Sequence, residues 1–168
     1  WFASHVIWRG GTFTTSPLVP MSKNSKAWRR EHFPGTPAVE WSAPSLRPSG
    51  TVVSMTGEEK PELIYFWATW CGPCRRTSPQ VDAFHREFGE RVSVVAISSE
   101  ERDILDPFLA KSQFSYPVIH DVDGLIKFDY EVASLPTIVW TQGNRVIAWD
   151  YGIGGVSRVV NKLRASLQ

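Results

Sequence analysis

The amino-acid sequence predicts an α/β sandwich built on a mixed central sheet. Three observations predict it: apolar runs without alternation at 62–69 and 91–97, apolar residues at helical spacing after each run, and a hairpin signal near the C-terminus. Strands that alternate with helices favour a parallel sheet, to which the hairpin adds antiparallel pairing. The 168 residues suffice for one ordinary domain, and 42% hydrophobic with 21% charged residues is typical of a soluble globular protein.

The segment before this domain has a different composition. Residues 1–8, WFASHVIW, are mostly apolar but far too short to span a bilayer, which needs about 20 apolar residues. We interpret them as the outer end of a signal anchor, as an apolar arm or expression remnant, or as irrelevant if the chain starts at Met21. Residues 9–50 are rich in Gly, Pro, Ser and Thr, which predicts a linker and a loosely structured lead-in. The chain therefore divides into an N-terminal arm or linker that includes the candidate membrane anchor, 1–34, and a domain, 35–168.

The elements of this domain follow in chain order. Strands are predicted at 50–55, 62–69, 91–97, 116–121, 134–140 and 145–152. Helices are predicted from three apolar sets, namely Val81, Phe84 and Phe88, then Ile104, Leu105, Phe108 and Leu109, then Val156, Val159, Val160 and Leu163. Gly89 ends the first helix, and Pro107 fits the second helix only near its first turn or at a kink. A turn at 141–144 makes the last strand antiparallel.

The only cysteines of the chain, Cys71 and Cys74, are separated by two residues where the strand at 62–69 ends and a helix begins. A bridge between them closes a very short loop and adds little stability, since disulfide stabilisation grows with loop length. At the first turn of a helix, unpaired N–H groups and the helix dipole favour the nucleophilic thiolate of Cys71. Cys74 lies one turn further along the same face. The spacing therefore predicts a redox pair, with Cys71 as an exposed attacking cysteine and Cys74 as the resolving cysteine.

The residues around this pair bear on its chemistry. Pro73 presets φ and lacks an N–H, which suits a helix N-terminus, and Gly72 leaves the approach to the Cys71 sulfur open. Zinc takes about four ligands, and the four histidines stand at no metal-ligand spacing, so no zinc site is predicted. A two-thiolate site for Cu(I) stays open. The net charge of +1 gives no reason to expect nucleic-acid binding.

The segment YFWATWCGPC, residues 65–74, resembles the active-site segment of the thioredoxin superfamily, and SLPT, residues 134–137, resembles its cis-proline loop. The lead-in at 35–55, the segment SYPVIHDVDG and the final hairpin resemble the extracytoplasmic TlpA-like branch. Within that branch, the tryptophan-rich character and YFWATWCGPCRRTSPQV look most similar to the ScsD-type group, named for suppression of copper sensitivity. The resemblance covers residues 35–168. It implies a thioredoxin-like three-layer sandwich with a mixed central sheet and an extended N-terminal arm.

The resemblance also implies roles for individual residues. It makes Cys71 the attacking nucleophile and Cys74 the resolving thiol, with no cofactor beyond this redox-active disulfide. Pro136 becomes a cis-proline that faces the disulfide, where an extended substrate backbone pairs with Leu135. Trp70 becomes an exposed apolar contact surface beside the cysteines.

Two positions depart from the pattern of the family. Many thioredoxins carry a buried Asp where this chain has Tyr65, and TlpA-like reductases often carry a Glu where it has Thr77. A buried carboxylate passes a proton to and from the resolving thiol, so both usual proton handlers are missing. Glu100 and Glu101 are the nearest substitutes. The alternative is that these two are solvated acids that cap the following helix.

The redox direction depends on which form is stabilised. A strongly stabilised Cys71 thiolate, which Lys60 or Arg75 would favour by charge, makes such a protein oxidising. The Gly-Pro insert between the cysteines is instead typical of reducing thioredoxins, and we therefore expect a reductase. The alternatives are a disulfide-forming oxidant and a Cu(I)-handling dithiol module linked to copper tolerance. A peroxidase is disfavoured because residues 69–71 do not supply a Thr-x-x-Cys arrangement.

The expected protein is thus a bacterial thiol–disulfide oxidoreductase that acts on disulfides of exported proteins. We expect it in the periplasm or at the exterior of the cell envelope, as a monomer tethered to the inner membrane by an N-terminal anchor. The resemblance implies a transmembrane electron carrier of the DsbD or ScsB kind as its partner. No nucleic-acid partner is expected.

Overall fold

The computed structural model describes residues 6–9, 12–15, 25–56 and 60–168. In chain order their elements are β1 Val6–Arg9, β2 Thr12–Thr15, α1 Ser25–His32, β3 Trp41–Arg47, β4 Ser49–Met55, β5 Glu62–Phe66, α2 Gly72–Phe88, β6 Ser93–Ser98, α3 Arg102–Lys111, β7 Val118–His120, α4 Leu125–Asp129, β8 Thr137–Gln142, β9 Arg145–Tyr151 and α5 Gly152–Ser166. β1 and β2 form an antiparallel pair of their own, and the other strands form one seven-stranded sheet in the order β4-β3-β7-β6-β5-β8-β9.

The seven-stranded sheet is mixed, as predicted. β6 pairs in parallel with both β5 and β7, whereas antiparallel pairs join β8 to β5, β9 to β8, and β3 to both β4 and β7. The register places Phe66 at the end of β5 beside Ile97 of β6 and Thr137 at the start of β8. The carboxyl ends of β5 and β6 and the start of β8 therefore lie at the same end of the strands. We call this end of the sheet the site edge.

Helices cover both faces of the sheet, which confirms the three-layer sandwich. α2, α3 and α5 contribute to the core on one face, through Val81, Phe84, Phe88, Leu105, Leu109, Val156, Val159, Val160 and Leu163. On the opposite face, Phe33 after α1, Ile126 of α4 and Tyr130 pack against the sheet. Every residue of β5 is buried, because strands flank it on both sides and helices cover both of its faces.

The expectation of a loosely structured lead-in is wrong for residues 25–50, which form α1, β3 and the start of β4. β3 is paired on both sides, with β4 and with β7. The chain then contacts the distant strand β9 and the turn before it: the Gly35 N–H donates to the Val146 carbonyl at 2.7 Å, and the Ala38 N–H to the Asn144 carbonyl at 2.9 Å. Local composition could not predict that this segment is ordered, because the hydrogen bonds that stabilise it join residues far apart in the chain.

Met21 and residues 1–5 of the candidate anchor lie outside the described part of the chain, whereas Val6–Arg9 form the strand β1 and not the end of a helix. Within residues 6–9, 12–15, 25–56 and 60–168, no helix is long and apolar enough to cross a membrane. The boundary between arm and domain at residue 34 stays a prediction. α1 itself packs on the domain, where the Arg29 guanidinium forms a 2.7 Å ion pair with Glu131.

Two features of the helices differ from the prediction. The turn after β7 continues into the short helix α4, where the Asp121 carboxylate accepts the backbone N–H groups of Ile126 at 3.2 Å and Lys127 at 2.9 Å. A helix of five residues is too short for apolar periodicity to reveal it. Pro107 lies in the second turn of α3, beyond the first turn, which was one of its two expected places; the other, a kink, stays a prediction. There its missing N–H removes one bond of the helical ladder.

Candidate active site

The cysteine pair lies at the site edge, and Cys71 is the fifth residue after the end of β5. Cys71 is the N-cap of α2 with an extended backbone (φ −76°, ψ 104°), and Pro73 stands in the first turn of the helix. The structure joins Cys71 and Cys74 in a disulfide with a Cα–Cα distance of 5.2 Å. The Cys74 N–H donates to the Cys71 sulfur at 3.2 Å. The sulfur therefore meets both a backbone donor and the positive end of a 17-residue helix.

Side-chain exposure differs sharply between Trp70 and the two cysteines that follow it. Trp70 is 71% exposed, as expected of a contact surface, whereas Cys71 is 3% and Cys74 1% exposed. The expectation of an exposed Cys71 is therefore wrong for this disulfide form. The physical reason is packing, since Cys71 is bonded to Cys74 and belongs to the same core cluster as Trp67. At this turn the exposed side chain is therefore that of Trp70, while both sulfur-bearing residues are buried.

Among the described residues, hydroxyl groups and no carboxylate contact the backbone of Cys74. The Tyr65 hydroxyl donates to the Cys74 carbonyl at 3.2 Å and lies 2.8 Å from Thr77 Oγ1 and 3.2 Å from Ser78 Oγ. Burial raises the pKa of Tyr65, and the bonds with Ser78 and Thr77 offset only part of that rise. Tyr116 lies near Ser78, but its buried hydroxyl reaches hydrogen-bond geometry with no described residue. The signal for this cluster was the pair of departures at Tyr65 and Thr77, whereas Ser78 and Tyr116 carried no signal of their own.

Glu100 holds the turn that leads into the cysteines. Its carboxylate accepts the backbone N–H of Thr69 at 2.7 Å, the Thr69 hydroxyl at 2.6 Å and the Ser98 hydroxyl at 3.1 Å. The predicted role of Glu100 in proton transfer is untested by this contact, but the carboxylate is engaged with Thr69. Thr69 and Ser98 gave no sign of this in the sequence, because the three residues meet only when β5 and β6 pair.

Glu101 behaves differently from its neighbour. It is exposed and forms the N-cap position of α3. Within the described residues, its side chain makes no capping hydrogen bond with that helix. The alternative interpretation of Glu101 as a solvated acid at the start of the following helix is therefore confirmed, but not its capping bond. A role of Glu101 in proton handling stays a prediction.

The segment before β8 reaches the same edge of the sheet. The Leu135–Pro136 peptide bond is cis, as the resemblance implied. Pro136 is buried, and its carbonyl accepts the Gly152 N–H at 2.8 Å. Leu135 is half-buried and packs against the cores on both faces of the sheet. Pairing of a substrate backbone with Leu135 stays a prediction.

The two cations proposed to stabilise the thiolate are separated by the fold. Lys60 precedes β5 and lines a cavity with Glu62 and Ser93, at the edge of the sheet opposite the site edge. Its proposed effect on Cys71 is therefore wrong. The guanidinium of Arg75 instead folds back to the first turn of α2, where Nη2 lies 3.9 Å from the position of a Cβ added to Gly72. Among the described residues, no group of three or more His, Cys, Asp or Glu side chains is placed to hold a metal ion.

A family model described as the AhpC/TSA family matches residues 34–149. The chain belongs to this family. It is 38% identical over 82 residues to a thioredoxin-like protein of Haemophilus influenzae, covering 49% of this chain and 48% of that protein. It is 33% identical over 89 residues to the thiol-disulfide oxidoreductase ResA of Oceanobacillus iheyensis, covering 52% and 46%. The chain thus spans about half the length of these relatives.

Solved structures show the same fold. A putative thiol:disulfide interchange protein DsbE from Chlorobium tepidum superposes with a TM-score of 0.70 at 23% identity, covering 80% of this chain and 98% of that chain. StoA from Bacillus subtilis superposes with a TM-score of 0.64 at 19% identity, covering 76% and 98%. These likenesses confirm the thioredoxin-like fold. The ScsD-type assignment stays a prediction.

Proposed function

We propose that the protein is a thiol–disulfide oxidoreductase that reduces disulfides of exported proteins. The observation that carries the proposal is the Cys71–Cys74 disulfide at the N-terminus of α2, beside the exposed Trp70. The cis-proline segment ends at the same edge of the sheet. Relatives whose names state this activity, ResA and the sporulation thiol-disulfide oxidoreductase A of Bacillus subtilis, support the reaction class.

The proposed reaction has two exchange steps. In the reduced protein the Cys71 thiolate attacks a substrate disulfide, forming a mixed disulfide and releasing one substrate sulfur as a thiolate, which takes a proton from water. Cys74 loses its proton to water and attacks the Cys71 sulfur. The second substrate sulfur then leaves as a thiolate and takes a proton from water. The substrate gains two electrons and two protons, and the protein ends as the Cys71–Cys74 disulfide.

The reducing direction is proposed from the Gly-Pro insert. The Cys74 N–H and the helix N-terminus both favour the Cys71 thiolate, which alone would make the reduced form stable and the protein oxidising. Lys60 adds nothing to this effect, because it lies at the opposite edge of the sheet. A reduction potential near thioredoxin's, roughly −270 mV, would support the reductase, and one near DsbA's, about −120 mV, would show an oxidant.

An extracytoplasmic location is proposed from the relatives. Similar solved structures include a secreted disulfide oxidoreductase of Mycobacterium tuberculosis and an exposed lipoprotein thioredoxin of Streptococcus pneumoniae. A periplasmic or envelope-exterior location, membrane tethering, a DsbD- or ScsB-like electron donor and a ScsD-type role in copper tolerance belong to the same proposal. Dependence of the protein's redox state on such a carrier in cells would test them together.

Reduction of a model disulfide protein such as insulin tests the reaction. We expect catalysis by the wild type, none by Cys71→Ser, and accumulation of a covalent mixed disulfide by Cys74→Ser, which keeps the attacking thiol. Full activity in Cys71→Ser would overturn the proposal. Stoichiometric Cu(I) uptake without measurable exchange would instead favour the copper-handling module.

A further inference from the structure

The Tyr65 hydroxyl takes no part in the exchange steps, yet it contacts the backbone of the resolving cysteine. It lies 3.2 Å from the Cys74 carbonyl and within 3.2 Å of the hydroxyls of Thr77 and Ser78. All four residues are at most 2% exposed. A phenol has one proton, so Tyr65 donates to one of these oxygens and accepts from a neighbouring hydroxyl. The contact joins the start of α2 to the central strand β5.

We propose that Tyr65 is a positioning residue for the resolving step, which holds the first turn of α2 against β5 and thereby keeps Cys74 within reach of Cys71. The inference rests on the proposed function and adds to it a residue with a defined task. It also assigns a role to a position that departs from the family pattern, since Tyr65 places a neutral hydroxyl where many thioredoxins have a carboxylate.

The need for such a tie arises in the mixed disulfide. In the oxidised protein the bond to Cys71 holds the Cys74 side chain, and the Cys74 N–H bonds to the Cys71 sulfur. Once the Cys71 sulfur is joined to the substrate, that covalent restraint is gone. The resolving step then requires the Cys74 thiolate to attack the Cys71 sulfur, forming the protein disulfide as the bond to the substrate breaks. Whether the Cys74 thiolate comes close enough to attack the Cys71 sulfur therefore depends on how firmly the start of α2 is held.

The helix itself holds this segment only in part. Pro79 lies inside α2 and lacks the N–H that would bond to the carbonyl of Arg75, so the ladder is interrupted just after the first turns. The Thr77 hydroxyl lies 3.3 Å from the carbonyls of both Pro73 and Cys74. Tyr65 bonds to Thr77 and thereby connects this local set to β5. Removal of the phenol oxygen cuts the connection and leaves the local bonds intact.

Dithiobis(nitrobenzoate) separates the two steps in a stopped-flow experiment. With reduced protein in excess, attack by Cys71 releases a first coloured thionitrobenzoate, and resolution by Cys74 releases a second. We expect Tyr65→Phe to keep the first rate within about twofold and to slow the second about fivefold, the factor that one buried hydrogen bond is worth. The matched control is Tyr130→Phe. That hydroxyl is also buried and bonds to Val39, but on the opposite face of the sheet, so both rates should equal those of the wild type.

The outcomes separate this inference from the proposed function. If the wild type releases no thionitrobenzoate, the proposed function fails and the inference with it. If the wild type reacts and Tyr65→Phe slows neither step, or slows both equally, the inference alone is overturned. If Tyr65→Phe does not fold, Thr77→Val and Thr77→Ser replace it. The second release should be slow in Thr77→Val and near normal in Thr77→Ser, which keeps the hydroxyl, and equal second-release rates in the two would overturn the inference.

Discussion

Replacement of Glu100 by alanine tests how the turn before the cysteines is held. The carboxylate accepts two hydrogen bonds from Thr69, at 2.7 and 2.6 Å, and one from Ser98 at 3.1 Å. A hydrogen bond to a charged group contributes about 1.5–3 kcal/mol, but Glu100 is only half-buried and water replaces part of each bond. We expect Glu100→Ala to lower the free energy of unfolding by roughly 2 kcal/mol. In a protein of this size, that lowers Tm by roughly 4–8 °C.

Thermal unfolding followed by circular dichroism measures this effect, and Glu101→Ala is the matched control. Glu101 is the neighbouring acid, is exposed, and makes no side-chain capping bond within the described part of the chain. Its removal should change the free energy of unfolding by less than about 0.5 kcal/mol. Equal Tm values for Glu100→Ala and Glu101→Ala would refute the reasoning.

Glu100→Gln distinguishes positioning from proton handling. The glutamine oxygen still accepts the Thr69 N–H, and the amide nitrogen donates to the Thr69 hydroxyl, so most of the contact survives. We expect the exchange rate of Glu100→Gln to follow the wild type across the pH range. A pH-dependent loss of activity in Glu100→Gln that is absent in Glu101→Ala would instead support proton transfer through Glu100.

Two further predictions concern stability. Burial lowers the pKa of His85 below its ordinary value of 6.5 despite the nearby Asp82. As the pH falls, the unfolded chain therefore binds the proton at a higher pH than the folded protein does. The free energy of unfolding should then decrease as the pH falls from above 6.5 through the lowered pKa of His85. Urea unfolding of the wild type and of His85→Gln at about pH 7 and about pH 5 measures this effect. The wild type should lose more unfolding free energy than the variant at the lower pH, and an equal difference at the two pH values would contradict this. Gly155→Ala places a Cβ 2.7 Å from Oδ1 of the buried Asp150 and should destabilise by roughly 1–3 kcal/mol in the same assay. Gly154→Ala, whose Cβ meets only the Arg158 side chain at 3.3 Å, should be neutral or stabilising, so equal losses in the two variants would contradict the clash.

The predictions that were confirmed rest on local patterns. The strongest sequence signals were the apolar runs of β5 and β6 and the helical spacing of α2 and α5. Each of these elements buries at least one whole face, so its apolar pattern is repeated several times along the element. The exposure of Trp70 and the cis bond before Pro136 came from a resemblance carried by short motifs. The same local reasoning failed for α1 and β3, whose partners lie far away in the sequence.

By itself, the sequence determined that two cysteines stand one turn apart at a helix N-terminus, because spacing along a chain translates directly into spacing along a helix. The tertiary structure alone decided what surrounds them. The pairing of β5 with β6 brings the carboxylate of Glu100 onto Thr69, and the packing of α2 on β5 brings the Tyr65 hydroxyl to Cys74. It also buried Cys71 and placed Lys60 at the far edge of the sheet. These contacts depend on distances between elements, which no pattern within one element contains.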